Sequence, residues 1–187
     1  MLYTDEFKQA LSESIDGPHG YVIARDRKTG KILINKHNMI VQTGKEYLWA
    51  IFLSQQGAND ENYDTTLPGM TLNTAVFSDN TEEVAYTDMA VSSGKRLTFS
   101  LNYENVNGTM MAPANFSQYN GHRYLFFTFS LNGSLKDASS PNSVSSLELR
   151  LGSGTAGQGT VLFSRIRFDT IPFTEDSDIE LVYYIYF

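Results

Sequence analysis

Apolar and polar side chains alternate through most of this chain, the mark of strands with one buried face. The alternation runs through Tyr21 to Asp26, Lys31 to Asn35, Thr71 to Ser78, Leu97 to Glu104, His122 to Leu131, Ser145 to Leu151, Thr160 to Phe168 and Asp178 to Phe187. Turn chemistry separates these runs: Arg27-Lys28-Thr29-Gly30, Ser92-Ser93-Gly94, Asn107-Gly108, Asn120-Gly121, Asn132-Gly133 and the glycine-rich stretch 152–159. The first two runs predict a hairpin, with Gly30 placed for a positive φ. Helical spacing occurs in two places. Residues 4–15 carry Thr4 as a cap, Asp5 and Glu6 in the first turn and Phe7, Leu11 and Ile15 on one side, and Gly17-Pro18 ends the pattern. A second helix is predicted over about 43–55, where Thr43 and Glu46 match a capping box and Tyr47, Leu48, Ile51 and Phe52 form an apolar stripe, with Trp49 on or beside it. A polar loop follows from Ala58 to Pro68. Strands in succession without intervening helices predict a mainly β protein, an antiparallel β-sandwich of jelly-roll type. With no internal repeat or dividing linker, residues 1–187 read as one domain, and 1–18 as an N-terminal helical arm.

The last strand departs from the simple alternation. Ile179, Leu181, Tyr183, Ile185 and Phe187 share one face, and the other holds Glu180, Val182, Tyr184 and Tyr186, which is aromatic where a solvated sheet face carries polar groups. Either the rest of the chain or another copy is expected to cover it. Arg165 and Arg167 fall on the same side of their strand as Val161 and Phe163, opposite Leu162, Ile166 and Phe168. Two guanidinium groups there either solubilise an exposed face or stack on tyrosines or pair with carboxylates across an interface. Val182, Tyr184 and Tyr186, with Arg165 and Arg167, are the expected interface residues.

Composition narrows the classes of function. The net charge of −7 disfavours a nucleic-acid binder, which concentrates Lys and Arg. With no cysteine, disulfide scaffolds, thiolate metal sites and cysteine nucleophiles are excluded, which suits folding in a reducing cytosol. The N-terminus lacks the pattern of a signal peptide, and no apolar run approaches the roughly 20 residues of a membrane span.

Motifs with chemical meaning are weak. Gly152-Ser153-Gly154-Thr155-Ala156-Gly157 matches a dinucleotide fingerprint, but that motif needs a helix next, and the following residues are β-branched and aromatic. Asp60, Asn62 and Asp64 have the opening spacing of a calcium loop, but Thr65 and Thr71 stand where Gly and Glu are required. His19, His37 and His122 have no metal-ligand spacing and read as turn residues. Asn107, Asn115 and Asn132 begin glycosylation sequons that also read as turns. No G-x-S-x-G elbow is present, and Glu82-Glu83 is a loop pair. No catalytic, cofactor-binding or metal residue is assigned, and the expectation is a protein that is not an enzyme.

Two stretches carry a resemblance. Asn35-Lys-His-Asn-Met-Ile-Val-Gln-Thr-Gly-Lys-Glu-Tyr-Leu48 is an extended segment running into a helix. Leu162-Phe-Ser-Arg-Ile-Arg-Phe168, Ile171-Pro-Phe173 and the strand 178–187 form a terminal hairpin. Together they resemble small virion structural proteins of tailed bacteriophages, although Phe173 stands where that group commonly carries Lys. The resemblance implies a helix packed on a β-sandwich, copies assembling at the neck, tail or head, and partners that are the chain itself and other virion proteins. It also implies a virion location after synthesis in the bacterial cytoplasm. The alternative is a carbohydrate-binding module of a phage fibre, with Tyr119, Asn120, His122 and Tyr124 facing a glycan receptor. A second alternative is a glycan depolymerase with carboxylates clustered in a cleft.

Overall fold

A computed structural model describes residues 19–54, 70–85, 94–102, 111–119, 122–152 and 159–186. Its strands are β1 (His19–Asp26), β2 (Ile32–Ile40), β3 (Thr71–Ser78), β4 (Arg96–Asn102), β5 (Met111–Tyr119), β6 (His122–Asn132), β7 (Ser143–Gly152), β8 (Val161–Pro172) and β9 (Asp178–Tyr186), with one α-helix, α1 (Gln42–Ser54), between β2 and β3. The predicted helix over 4–15, the polar loop 58–68 and the calcium-like Asp60, Asn62 and Asp64 lie outside the described residues.

Two sheets lie face to face as a β-sandwich. One runs β2-β1-β9-β6-β5, the other β8-β7-β3-β4, and both margins are stitched so that the strands close into a ring. The stitching is slight at each margin. β2 meets β8 through Met39 with Arg165 and Ile40 with Ser164. β4 meets β5 through Ser100 with Met111, Leu101 with Ala112 and Asn102 with Pro113, and this pairing is parallel where the sequence predicts antiparallel neighbours throughout. β5 itself is a strand that the alternation does not announce: Pro113 interrupts it, and Asn115 of the sequon lies inside it and not in a turn. Gly30 takes a φ of 73° at the tip of the β1–β2 hairpin, as expected for that turn.

Alternation sorts the core. Phe77 of β3, Phe99 of β4 and Phe129 of β6 meet edge to face, with ring centroids 5.2 to 5.5 Å apart, and so bridge the two sheets. Edge-to-face contact places the positive rim of one ring on the negative face of the next, worth about 0.5–1.5 kcal/mol per pair beyond burial. Val22, Leu147, Leu149, Leu181 and Tyr183 fill the space around them with no solvent exposure above 1%. Each such side chain contributes roughly 1.5–3 kcal/mol by leaving water.

The helix begins at Gln42, ahead of the predicted Thr43 cap. Val41 donates its N–H to the Phe163 carbonyl at 3.2 Å, so the β2–β8 ladder runs straight into the first turn. Glu46 consequently accepts from the Gln42 side chain at 2.7 Å and forms no capping box. Tyr47 stands edge-on to Phe163, with centroids 6.2 Å apart, and gives its hydroxyl to the Met70 carbonyl at 3.1 Å. Gly44 is required here, because a Cβ would collide with the Phe163 carbonyl.

Candidate functional site

Three places gather polar or aromatic groups beyond what simple sandwich packing needs. The first is on the outer face of the β8-β7-β3-β4 sheet. Alternation along β7 and β8 directs Glu148, Arg150, Arg165 and Arg167 away from the core, and the register sets Glu148 directly opposite Arg165. Glu148 has 0% of its side chain exposed and Arg150 and Arg165 each 5%. Arg150 donates to Glu148 from Nε at 2.8 Å, and Arg165 Nε lies 3.9 Å from the other carboxylate oxygen. Burying a charge is costly unless it is paired, and the carboxylate shared between two arginines meets that requirement.

The segment after β3 completes this face. Asn80 turns it by accepting from the Glu82 N–H at 2.8 Å, an Asx turn. Glu82 then sits 3.7 Å from Arg165, and Glu83 pairs with Arg167. Ser78 and Ser146 hydrogen-bond at 2.8 Å beneath it. Sequence alone left Arg165 and Arg167 open between an exposed face and engaging tyrosines or carboxylates across an interface; the carboxylates they meet belong to this same chain. Glu82-Glu83, read as a loop pair, supplies two of these.

The second place is the outer face of the other sheet. His37, Tyr21, Tyr184 and Phe126 lie in one cross-strand row over β2, β1, β9 and β6. Tyr21 meets His37 edge-on at 5.2 Å, and Tyr184 lies 6.4 Å from Tyr21 and 5.9 Å from Phe126. Tyr21 also gives its hydroxyl to Asn35. Tyr184 is only 5% exposed within the single chain, so at this position the second face of β9 is sheltered without a partner copy. Val182 beside it is half-buried, opposite Ile23 and Thr128. The side chain of Tyr186 lies outside the described ones. The structure does not bring the five expected interface residues together: β1 and β2 stand between Arg165 and Arg167 on β8 and the β9 group. Of the five, Arg167 and Val182 have side chains that are described and retain appreciable exposed surface.

The third place is internal. The Tyr183 hydroxyl accepts from the Asn38 amide and lies 2.8 Å from Ser164 Oγ, linking β9, β2 and β8. Burial pushes this phenol well above the ordinary tyrosine range. Nothing in the set Tyr, Ser and Asn supplies a base or an activated nucleophile, so the arrangement does structural work.

The remaining motifs fall into place locally. The glycine-rich stretch follows β7 and leads to strand β8, not to the helix that a pyrophosphate site needs, and 153–158 lie outside the described residues. His37 is exposed against Tyr21, while the side chains of His19 and His122 are not among the described ones. The same holds for Tyr119, Asn120 and Tyr124 of the glycan alternative. Asn132 caps a short 3-10 turn by accepting from the Ser134 N–H, which agrees with its reading as a turn residue. Among the described residues no cluster of His, Asp and Glu could hold a metal ion, and no helix is long and apolar enough to cross a membrane. No family model, curated protein or solved structure matches the chain.

Proposed function

We propose that the protein is a non-enzymatic structural component of a bacteriophage virion, a β-sandwich whose copies assemble with one another and with other virion proteins at the neck, tail or head. The observation that carries this reading is the contact between the two stretches that resemble such proteins. They are far apart in sequence, yet Met39 and Ile40 of the first pair with Arg165 and Ser164 of the second, and Tyr47 packs on Phe163. Asn38 of the first meets Tyr183 and, through it, Ser164 of the second.

Assembly is consistent with how the chain uses its charged and aromatic surface. The outer faces carry buried ion pairs and an aromatic row, which hold a rigid shape suited to repeated contact. Native mass spectrometry of the purified protein is expected to give a defined oligomer. Proteomics of particles purified from a lysate of the host that carries this gene is expected to recover the chain in stoichiometric amount. A strictly monomeric protein that is missing from such particles would overturn the proposal.

A further inference from the structure

β3 and β4 form an antiparallel pair that ends at Ser78 opposite Arg96. Two to five residues close such a hairpin, yet residues 79–95 connect these strands, several times the length required. Connections of that excess length in a compact domain are uncommon and are usually either functional or linker segments. Here its first part crosses toward β8 and brings Glu82 to Arg165 and Glu83 to Arg167. The glutamate side chains remain 80% and 85% exposed, so they are held by charge and not by packing.

From this geometry we infer that residues 79–85 form an exchangeable strap: the contact that Glu83 makes with Arg167 of its own chain is also made with Arg167 of a second copy, joining the two. The inference rests on the assembly reading above and gives it a contact. The strap itself specifies the occupant. It displays the chemistry that fits the β8 arginines, adjacent carboxylates on an extended segment, and an identical chain offers the same segment. Exchange of identical elements replaces each contact by an equal one, so it costs little and is reciprocal between two copies. Arg167, with 40% of its side chain exposed, is accessible to the incoming carboxylate, whereas Arg165 is anchored by Glu148 and positions the surface.

The test is a charge swap split between two copies. An Arg167→Glu chain presents two acids at the contact, and a Glu83→Arg chain presents two bases, so neither forms the pair within itself or with its own kind. A mixture forms both reciprocal pairs, but only between unlike chains. With one chain isotopically labelled, native mass spectrometry at low salt is expected to show the mixed species in about tenfold excess over a random distribution, the scale of two exposed ion pairs relieved of like-charge contact. The excess is expected to vanish at high salt. The chain carrying both substitutions restores the wild-type assembly state, and circular dichroism spectra of the single variants that match wild type confirm that each of them folds. A random distribution of variants that still assemble would overturn the strap while leaving the assembly reading intact. A wild-type protein that never associates would overturn both.

Discussion

Tyr183 and Ser164 meet across the core, hydroxyl to hydroxyl at 2.8 Å, one from each sheet of the sandwich. The phenol reaches this position over Gly20, where a Cβ would come within 2.6 Å of its oxygen, and on the far side it takes the Asn38 amide. Replacing Tyr183 by Phe keeps the ring and strands Ser164 and Asn38 among apolar groups. Urea denaturation is expected to show a loss of about 1–3 kcal/mol with an unchanged m-value. A Tyr183→Phe protein as stable as wild type would deny the node any structural weight.

The same phenol gives the protein an alkaline limit. Its folded-state pKa is raised by burial above the unfolded value near 10.0. The folded state therefore disfavours the ionised form, and the associated stability is full below pH about 10 and declines as pH rises above it. Denaturation midpoints followed from pH 8 to 11.5 should fall less steeply for Tyr183→Phe than for wild type. Equal slopes would contradict the assignment.

Gly44 seats α1 on β8. Any Cβ there meets the Phe163 backbone carbonyl, which cannot rotate away as a side chain would. Gly44→Ala gains helix propensity, roughly 1 kcal/mol, and loses the seat, so the expected net result is destabilisation by about 1–3 kcal/mol. Hydrogen exchange should then quicken over residues 42–48 and at Ser164 and Arg165. A stabilised variant would mean that the helix docks differently.

Glu148 answers two buried arginines. Glu148→Gln keeps the shape and removes the charge, leaving Arg150 and Arg165 without their shared carboxylate in a site closed to water. The expected loss is about 3–5 kcal/mol by thermal or chemical denaturation. Arg150→Met in the same background should recover part of it, because one of the two cations that shared the carboxylate is then gone. Additive losses in the double variant would contradict the coupling.

Asp137 closes the turn after β6 by accepting from the backbone and side chains of Ser139 and Ser140, at 2.7 to 2.9 Å. These hydrogen bonds, that of the Ser139 hydroxyl first, hold its carboxyl down at about 2, from an ordinary 3.8. A carboxyl with a depressed pKa stabilises the fold above its unfolded value and loses that effect as pH falls toward about 2. The Asp137 carboxyl resonance should titrate with a midpoint about 2, and Ser139→Ala should shift that midpoint upward.

Strand existence was legible wherever one face is apolar and the other polar. Thr71–Ser78 coincides with its alternating run, and the runs behind β4, β6, β7 and β9 fall within two residues of the observed ends, while β8 continues past its run from Phe168 to Pro172. β5 escaped because Met111-Ala-Pro-Ala-Asn has turn chemistry, and a parallel seam with β4, not alternation, defines its start. The helix start shifted because a tertiary hydrogen bond from Val41 to Phe163 outweighs a local cap. The doubly apolar character of β9 was visible in its residues, and Tyr184 is indeed covered. What the sequence could not convey was register across distant strands. Glu148 opposite Arg165, and Glu83 within reach of Arg167, depend on which strands become neighbours. Neither carboxylate has a local pattern that names its partner.

The ring order also sets a timetable. β1 lies between β2, which follows it at once, and β9, which the ribosome makes after every other strand described. Throughout synthesis the nascent hairpin therefore carries one bare margin of backbone amides and carbonyls, the kind of template on which other chains nucleate aggregates. Production in the cell should accordingly depend on chaperone supply and respond to lowered growth temperature, since β1 is shielded on that side only when β9 arrives.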